Sequence, residues 1–269
     1  MESVTLRLKA AALGPAGSYS ELAAKTLCPE HEAVLYPNFS AVFDALESGE
    51  TDCAVIPIEN SIQGGVLQNL DLLETRNACA VRQIRLKIDH RLAMLEGVKR
   101  SDVTRVYSHE QAIGQCAHYL DAFLPDAQRI FTQSTAKSLS LLDEHSAGIV
   151  GAHIRAEGVV LSEENIADIK NNFTQFFLLR RRTEGLPERG NTVFFAAVCD
   201  HRPGSLLQLL QAFSSRGINL TRIESRPIPS VPGEYRFFIE IDASSQDVRP
   251  ALSDAQTLCR SFRILGIYD

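Results

Sequence analysis

Four short segments of the chain carry residue types from which an anion-binding or acid–base site could be built. The first, Gly14-Pro15-Ala16-Gly17-Ser18-Tyr19-Ser20-Glu21, lies between an apolar run and a helical pattern. Its glycines let the backbone turn sharply and approach a ligand. Ser18 and Glu21 have capping-box spacing, and free N–H groups at such a helix start favour an anion. The spacing is neither a dinucleotide fingerprint nor a phosphate loop, and taken alone the segment is a tight strand-to-helix turn. The second, Pro57-Ile58-Glu59-Asn60-Ser61-Ile62-Gln63-Gly64-Gly65-Val66, follows a buried apolar run. It would deliver Glu59, Asn60 and Ser61 to the carboxyl edge of a sheet, where open α/β sheets bind ligands. The third, Ser108-His109-Glu110-Gln111-Ala112-Ile113-Gly114-Gln115-Cys116, offers His109 for acid–base work, although nothing nearby in sequence orients that ring. In the fourth, Asn171-Asn172-Phe173-Thr174-Gln175-Phe176-Phe177, polar and apolar residues alternate as in a half-buried strand.

Alternating strand-like and helix-like stretches must position these segments. Leu6–Leu13, Cys53–Ile58, Val103–Tyr107 and Ala147–Val150 are apolar runs of strand length, and Arg82–Met94 reads as one extended stretch. Glu21–Leu27, Ala41–Leu46, Gln111–Phe123 and Ser138–Leu142 have helical spacing. This alternation predicts an α/β domain with a largely parallel sheet covered by helices. The arginine-rich segment Arg180–Gly190, broken by glycine and proline, reads as a solvated linker. Beyond it come a strand, Thr192–Cys199, and a helix opened by Pro203-Gly204-Ser205 and closed near Arg216 by Gly217. Two strands follow, Ile218–Ile228 and Tyr235–Ile241, then a helix over Gln246–Cys259 and a last strand, Phe262–Ile267. The order βαββαβ is that of a ferredoxin-like sandwich.

A length of 269 residues accommodates two domains. A formal net charge of −6 leaves no basic excess to neutralise phosphates, which argues against nonspecific nucleic-acid binding. No apolar run is long enough to span a bilayer. Met1–Leu6 lacks the layout of a signal peptide, so the expected compartment is the cytoplasm. Six scattered cysteines without metal-ligand spacing read as free buried thiols, and neither a metal nor a cofactor is expected.

Each segment alone is weak, but their order is specific. It resembles that of prephenate dehydratases. The family pattern runs from a GPxGTYS-like loop through PIENSxxGxV, SHxQAxxQC, an STAxAxxL helix and NI-then-NxTRF to an ACT domain. The matching segments are Gly14–Ser20, Pro57–Val66, Ser108–Cys116, Ser134-Thr135-Ala136-Lys137-Ser138, Asn165-Ile166 with Asn172–Phe176, and the C-terminal unit. The resemblance implies a two-lobe catalytic domain like type II periplasmic binding proteins over residues 1–185. Its lobes would be 1–83 with 172–185, and 84–171, with the motifs facing the cleft; an ACT domain would occupy 192–269. It implies conversion of prephenate to phenylpyruvate with loss of water and carbon dioxide. Thr174 matches the family's essential threonine, which would hydrogen-bond the departing oxygen. Asn60, Ser108 and Gln115 match its polar active-site residues. Gly17, Ser18, Glu59, Ser61, Gln175 and Phe176 complete the expected substrate-binding set, in which Glu59, with His109, offers acid–base chemistry.

One departure stands out. The family's TRF reads Thr174-Gln175-Phe176 here, so a neutral amide replaces a planar cation able to grip a carboxylate. Lys170, Lys137 or an arginine from elsewhere would compensate, or the activity is weak or the substrate differs. A decarboxylase that leaves the ring non-aromatic, and a non-catalytic amino-acid sensor, are the alternative readings. In the C-terminal unit, Glu224-Ser225-Arg226-Pro227 matches the ESRP motif of ACT domains and Gly204-Ser205-Leu206-Leu207 their GALx motif. The resemblance implies L-phenylalanine as an allosteric effector, bound at a subunit interface of a homotetramer or homodimer. Gly204, Ser205, Leu206, Asn219, Leu220, Glu224, Ser225, Arg226 and Pro227 are the expected effector residues.

Overall fold

The computed structural model describes residues 8–269. Met1–Leu6 and the start of the Leu6–Leu13 run lie outside them. The first lobe opens with β1 (Lys9–Leu13), α1 (Tyr19–Leu27), β2 (Glu32–Tyr36) and α2 (Phe39–Ser48). It continues with β3 (Cys53–Asn60), the short β4 (Gly64–Gly65), α3 (Leu67–Thr75) and β5 (Ala78–Lys87). Three consecutive alanines, Ala10 to Ala12, form the buried centre of β1 because helices pack on both its faces. Ala10 and Ala12 meet Ala23 and Ala24 of α1, whereas Ala11 meets Val42 and Phe43 of α2. Asn38 caps α2 by accepting the Ala41 N–H at 2.9 Å, and left-handed Gly49 ends that helix.

The extended stretch read as Arg82–Met94 is two strands in two sheets. β5 stays in the first lobe to Lys87, four residues past the expected lobe boundary, and the chain crosses at Ile88-Asp89. The second lobe holds β6 (His90–Leu95), β7 (Arg105–Ser108), α4 (Glu110–Gln115), α5 (Ala117–Phe123), β8 (Gln128–Phe131), β9 (Ser146–Gly151) and β10 (Val159–Leu161). Its sheet runs β10-β6-β9-β7-β8. The helix expected over Gln111–Phe123 breaks at Cys116, and Ala136–Leu141 is a 3₁₀ helix. The chain then returns through β11 (Phe173–Arg181), inserted between β3 and β5. The two crossings touch: the Ile88 N–H donates to the Asn172 carbonyl at 2.8 Å.

The C-terminal unit is β12 (Thr192–Cys199), α6 (Ser205–Ser214), β13 (Leu220–Pro227), β14 (Tyr235–Asp242), α7 (Arg249–Thr257) and β15 (Cys259–Tyr268), in sheet order β13-β14-β12-β15. It is not held off by a solvated linker. Arg180 and Arg181 end β11, and the Arg181 guanidinium donates to the carbonyls of Leu46 and Thr51, each at 3.2 Å. Arg182 donates to the Ile264 carbonyl of β15. An arginine run reads as solvated from composition, and Arg180 and Arg189 are exposed, yet the heads of Arg181 and Arg182 satisfy backbone carbonyls. β15 also pairs with β5 at Gly266–Ala80, which joins the two sheets into one of ten strands. A Cβ at Gly266 would lie 2.6 Å from that of Ala80, so glycine permits the approach. A single core spans the junction: the Phe177 ring lies 5.7 Å from that of Phe194 and 4.9 Å from that of Tyr268. Each such buried aromatic contributes about 1.5–3 kcal/mol, enough to fix the unit against the first lobe. All six cysteines are free thiols, and Cys28 and Cys53 place their sulfurs 3.5 Å apart.

Candidate active site

At the crossing between lobes, the second and fourth motifs meet as neighbouring antiparallel strands. Thr174 lies opposite Asn60, and Gln175 opposite Glu59. Side chains alternate along a strand, so these two rungs present opposite faces. On one face the Asn60 amide Nδ2 donates to Thr174 Oγ1 at 3.0 Å, to Asn172 Oδ1 at 2.7 Å and to the Phe173 carbonyl at 3.3 Å. Asn60 Oδ1 accepts the N–H groups of Ile62 and Gln63 at 3.0 and 3.1 Å, which folds the loop after β3 around it. Ser61 Oγ donates to Asn172 Oδ1 and accepts the Phe173 N–H. Among the described residues, the one hydrogen bond of Thr174 Oγ1 is the one it accepts from Asn60. Its own proton is thereby free to donate to a bound molecule.

The other face meets the C-terminal unit, and Glu59 and Gln175 also line a cavity of about 420 Å³ with Ser61, Arg85 and Phe173. Gln175 is 5% exposed, hydrogen-bonds Gln83, and accepts from Arg222 of β13 at 2.6 Å. Glu59 forms an ion pair with the same guanidinium. Gln175 therefore faces the C-terminal unit, and so would an arginine in its place. β13 thus brings a guanidinium, that of Arg222, against Gln175 and Glu59. Lys170 is held by the Asn165 carbonyl, whereas Lys137 lines an interlobe cavity of about 770 Å³ between the Gly14–Ala16 loop and Gln133–Ser140. Phe176 is fully packed among Ala10, Ala24 and Val55, a core residue rather than a substrate contact.

The first motif is likewise occupied from within. Ser18 Oγ caps α1 through the Glu21 N–H and donates to the Leu13 carbonyl, while the Glu21 carboxylate accepts the Gly17 N–H at 2.5 Å. The anion expected at this helix start is thus the chain's own Glu21. Its carboxyl is held below the usual range: burial raises it, but hydrogen bonds from Lys25 and Gly17 outweigh that. The loop instead joins the lobes. The Gly17 carbonyl accepts from His153 at 3.0 Å, and the Tyr19 hydroxyl donates to the Asp89 carbonyl at 2.8 Å. Gly17 has φ +80°, and a Cβ there would meet Ile154 at 2.9 Å.

In the second lobe, Ser108 is buried and donates to the Ile149 carbonyl at 2.7 Å, leaving lone pairs but no proton for a ligand. His109 is an exposed N-cap that accepts the Gln111 N–H. The histidine that matters locally is one the sequence reading passed over. His90, at the start of β6, bonds Gln115 Oε1 through Nε2 at 2.9 Å, and its N–H donates to Asn165 Oδ1. Burial holds the His90 ring below the ordinary histidine range. A neutral ring donating from Nε2 leaves Gln115 Nε2 with its hydrogens unpartnered, as are those of Asn165 Nδ2. Two buried amide donors, with His90 Nδ1 beside them, are thus left without a partner among the described residues, against the rule that buried polar groups are paired. In the sequence His90 was one residue of the extended Arg82–Met94 stretch, and nothing there signalled this role. Among the described residues, no three His, Cys, Asp or Glu side chains converge as metal ligands, and no helix is long and apolar enough to cross a membrane.

The effector set divides. Gly204, Ser205 and Leu206 start α6, and the last two line a cavity of about 390 Å³ with His201, Arg202 and Tyr235. Ser205 Oγ donates to the Arg202 carbonyl. Leu220 and Glu224 to Pro227 lie along β13, an unpaired sheet edge, with Asn219 just before it. Within this motif, Arg226 is ion-paired with Asp71 of α3 rather than aimed at that cavity.

Comparison with known proteins accounts for this arrangement. A family model described as prephenate dehydratase matches residues 10–184, and the ACT domain model matches 193–254. The chain belongs to the prephenate dehydratase family. An arogenate dehydratase/prephenate dehydratase of Arabidopsis thaliana, named as chloroplastic, is 36% identical over 95% of this chain and 70% of its own. The bifunctional chorismate mutase/prephenate dehydratase of Neisseria gonorrhoeae is 34% identical over 90% of this chain and 68% of its own. Among solved structures, a prephenate dehydratase from Arthrobacter aurescens in complex with L-Phe superposes with TM-score 0.86 at 32% identity, covering 97% of this chain and 90% of that one. The Staphylococcus aureus prephenate dehydratase superposes with TM-score 0.87 at 28% identity, covering 97% of this chain and all of that one. The chain is accordingly an enzyme of the prephenate/arogenate dehydratase family, with the periplasmic-binding-protein-like fold and a C-terminal ACT domain.

Proposed function

We propose that the enzyme converts prephenate to phenylpyruvate and that L-phenylalanine, bound by the ACT domain, controls it. The observation that carries this reading is the Thr174 hydroxyl, which accepts from the Asn60 amide at 3.0 Å and so keeps its own proton to donate. In prephenate the ring carboxylate leaves as carbon dioxide. Its bonding electron pair enters the ring as the C–O bond breaks, and the departing hydroxide leaves as water with a proton from the Thr174 hydroxyl, which regains one from solvent. Aromaticity supplies much of the driving force, so the enzyme's task is positioning and stabilisation of the departing oxygen. Thr174 donates to that oxygen, and the Gln115 amide donor serves a substrate carboxylate or keto oxygen. A second copy along the β13 edge would complete the effector site beside α6, in a homodimer or homotetramer.

Purified full-length enzyme, offered prephenate and arogenate in parallel, tests this. Phenylpyruvate, read by its alkaline absorbance and mass, is the expected product. A decarboxylated, non-aromatic product, or no turnover of prephenate, would overturn the reading. Thr174→Ala is expected to abolish turnover while calorimetric binding of L-phenylalanine survives; full activity in that variant refutes the role of Thr174.

A further inference from the structure

We infer that Arg222, a residue of the ACT domain, is a positioning residue for the catalytic threonine. The inference rests on the dehydratase reading above and concerns the strand pair that carries Thr174. The ladder between those two strands is irregular there, although β11 stays paired with β5 and the Ser61 N–H donates to the Phe173 carbonyl beyond the last rung. The register between β3 and β11 shifts between Gln175 and Phe176, so Ile58 is an extra residue in a bulge. The residue before it, Pro57, has no N–H to donate. The last two rungs, Glu59–Gln175 and Asn60–Thr174, therefore extend beyond a gap in the ladder.

Arg222 closes that gap from outside. One nitrogen of its guanidinium, Nη2, donates both to the Glu59 carboxylate on β3 and to Gln175 Oε1 on β11, the latter at 2.6 Å. The side chain is only 11% exposed and lies over the Phe194 ring, with its central carbon 5.9 Å from the ring centroid. Gln175 is fixed further by Gln83 of β5. A single group thus ties the two strands together on one face, one residue away from the point where Asn60 orients Thr174 on the other. β13 delivers it: Arg222 and Arg226 point inward to Glu59 and Asp71, while Ile223 between them is 48% exposed on the free edge. A molecule or second copy that covers this edge acts on the same strand that holds the clamp.

The test compares full-length Arg222→Gln with Arg236→Gln. Arg236 pairs with Glu74 of α3 and ties the same two domains without touching the rungs. A displacement of the order of 1 Å at a reacting group lowers rate about a hundredfold, so Arg222→Gln is expected to lower kcat at least tenfold with KM within threefold of wild type. Arg236→Gln should keep kcat within twofold, and Arg222→Lys should restore part of the loss. Gln175→Leu removes the β11 end of the clamp and stands in if Arg222→Gln does not fold. In the double variant the two losses should not multiply. An unchanged kcat in Arg222→Gln, an equal loss in Arg236→Gln, or multiplying losses in the double variant would overturn the inference. Those results presuppose turnover by the unmodified enzyme; its absence overturns the dehydratase reading and this inference together.

Discussion

Asn60→Asp changes one atom at the centre of the polar cluster. The retained oxygen keeps the Ile62 and Gln63 N–H bonds, so the loop after β3 keeps its shape. The other oxygen replaces the donor that now serves Asn172 Oδ1 at 2.7 Å, the Phe173 carbonyl at 3.3 Å and Thr174 Oγ1 at 3.0 Å. Asn172 Oδ1 and the Phe173 carbonyl keep their bonds from Ser61 but now face an oxygen where a donor stood, in a site where Asn60 is 8% exposed, which costs about 2–4 kcal/mol of stability. The Thr174 proton turns to the new carboxylate and is withdrawn from the substrate, lowering kcat by about a hundredfold or more, as when one transition-state donor is removed. Burial and the facing oxygens raise the pKa of the introduced carboxyl above the unfolded value of about 3.9. A raised folded pKa contributes stability that is fully present below the unfolded value and is lost as pH rises through the folded one. The variant should thus approach wild-type stability near pH 4 and fall behind as pH rises. Urea-unfolding midpoints of both proteins from pH 4 to 8, with phenylpyruvate formation at neutral pH, measure this. A stability gap that does not change with pH, or a kcat within threefold of wild type, would refute the orientation assigned to Asn60.

Three further outcomes are expected. Gln175→Arg should lower kcat rather than raise it, because a second guanidinium would crowd Arg222 with Glu59 as their shared carboxylate and neutral Gln83 alongside; faster turnover in steady-state kinetics would contradict this. His90 is held below its unfolded value by burial, so its contribution is present above about pH 6.5 and is lost as pH falls toward the folded value. His90→Gln should remove up to about 1.4 kcal/mol per pH unit from the acid slope of stability, read from denaturant midpoints between pH 5.5 and 7.5; an unaltered slope counts against it. Tyr268→Phe should cost about 1.5–3 kcal/mol. The buried Glu240 carboxylate would lose a 2.8 Å donor and keep Thr221 at 2.6 Å; a loss below about 0.5 kcal/mol by urea unfolding would show the contact to be dispensable, since buried polar groups normally need their partners.

The α/β alternation and the βαββαβ unit were legible in the chain because strand and helix periodicities and turn residues are local properties, whereas the family, and the two-lobe architecture with it, came from the resemblance carried by the order of the motifs. The same local rules placed Asn60 at a strand end, Thr174 in a half-buried strand and Gly17 in a turn. Other matters depended on contacts between residues far apart in sequence. Alternation along β11 separates Thr174 from Gln175, but which face meets the cleft is decided by what packs on each side. On the Gln175 side that is Arg222, 47 positions further along the chain. The Gly17 amide and Ser18 hydroxyl looked free for a ligand until Glu21 and the Leu13 carbonyl were seen to occupy them. His90 carried no motif reading, and it gains its place at Gln115 only when β6 meets α4. The arginine-rich segment read as a solvated linker because charge runs usually face water; Arg180 and Arg189 do, but the carbonyls of Leu46, Thr51 and Ile264 take up the guanidiniums of Arg181 and Arg182. A sequence determines which groups a segment can offer; only the tertiary structure decides which of them are already satisfied and which remain for a substrate.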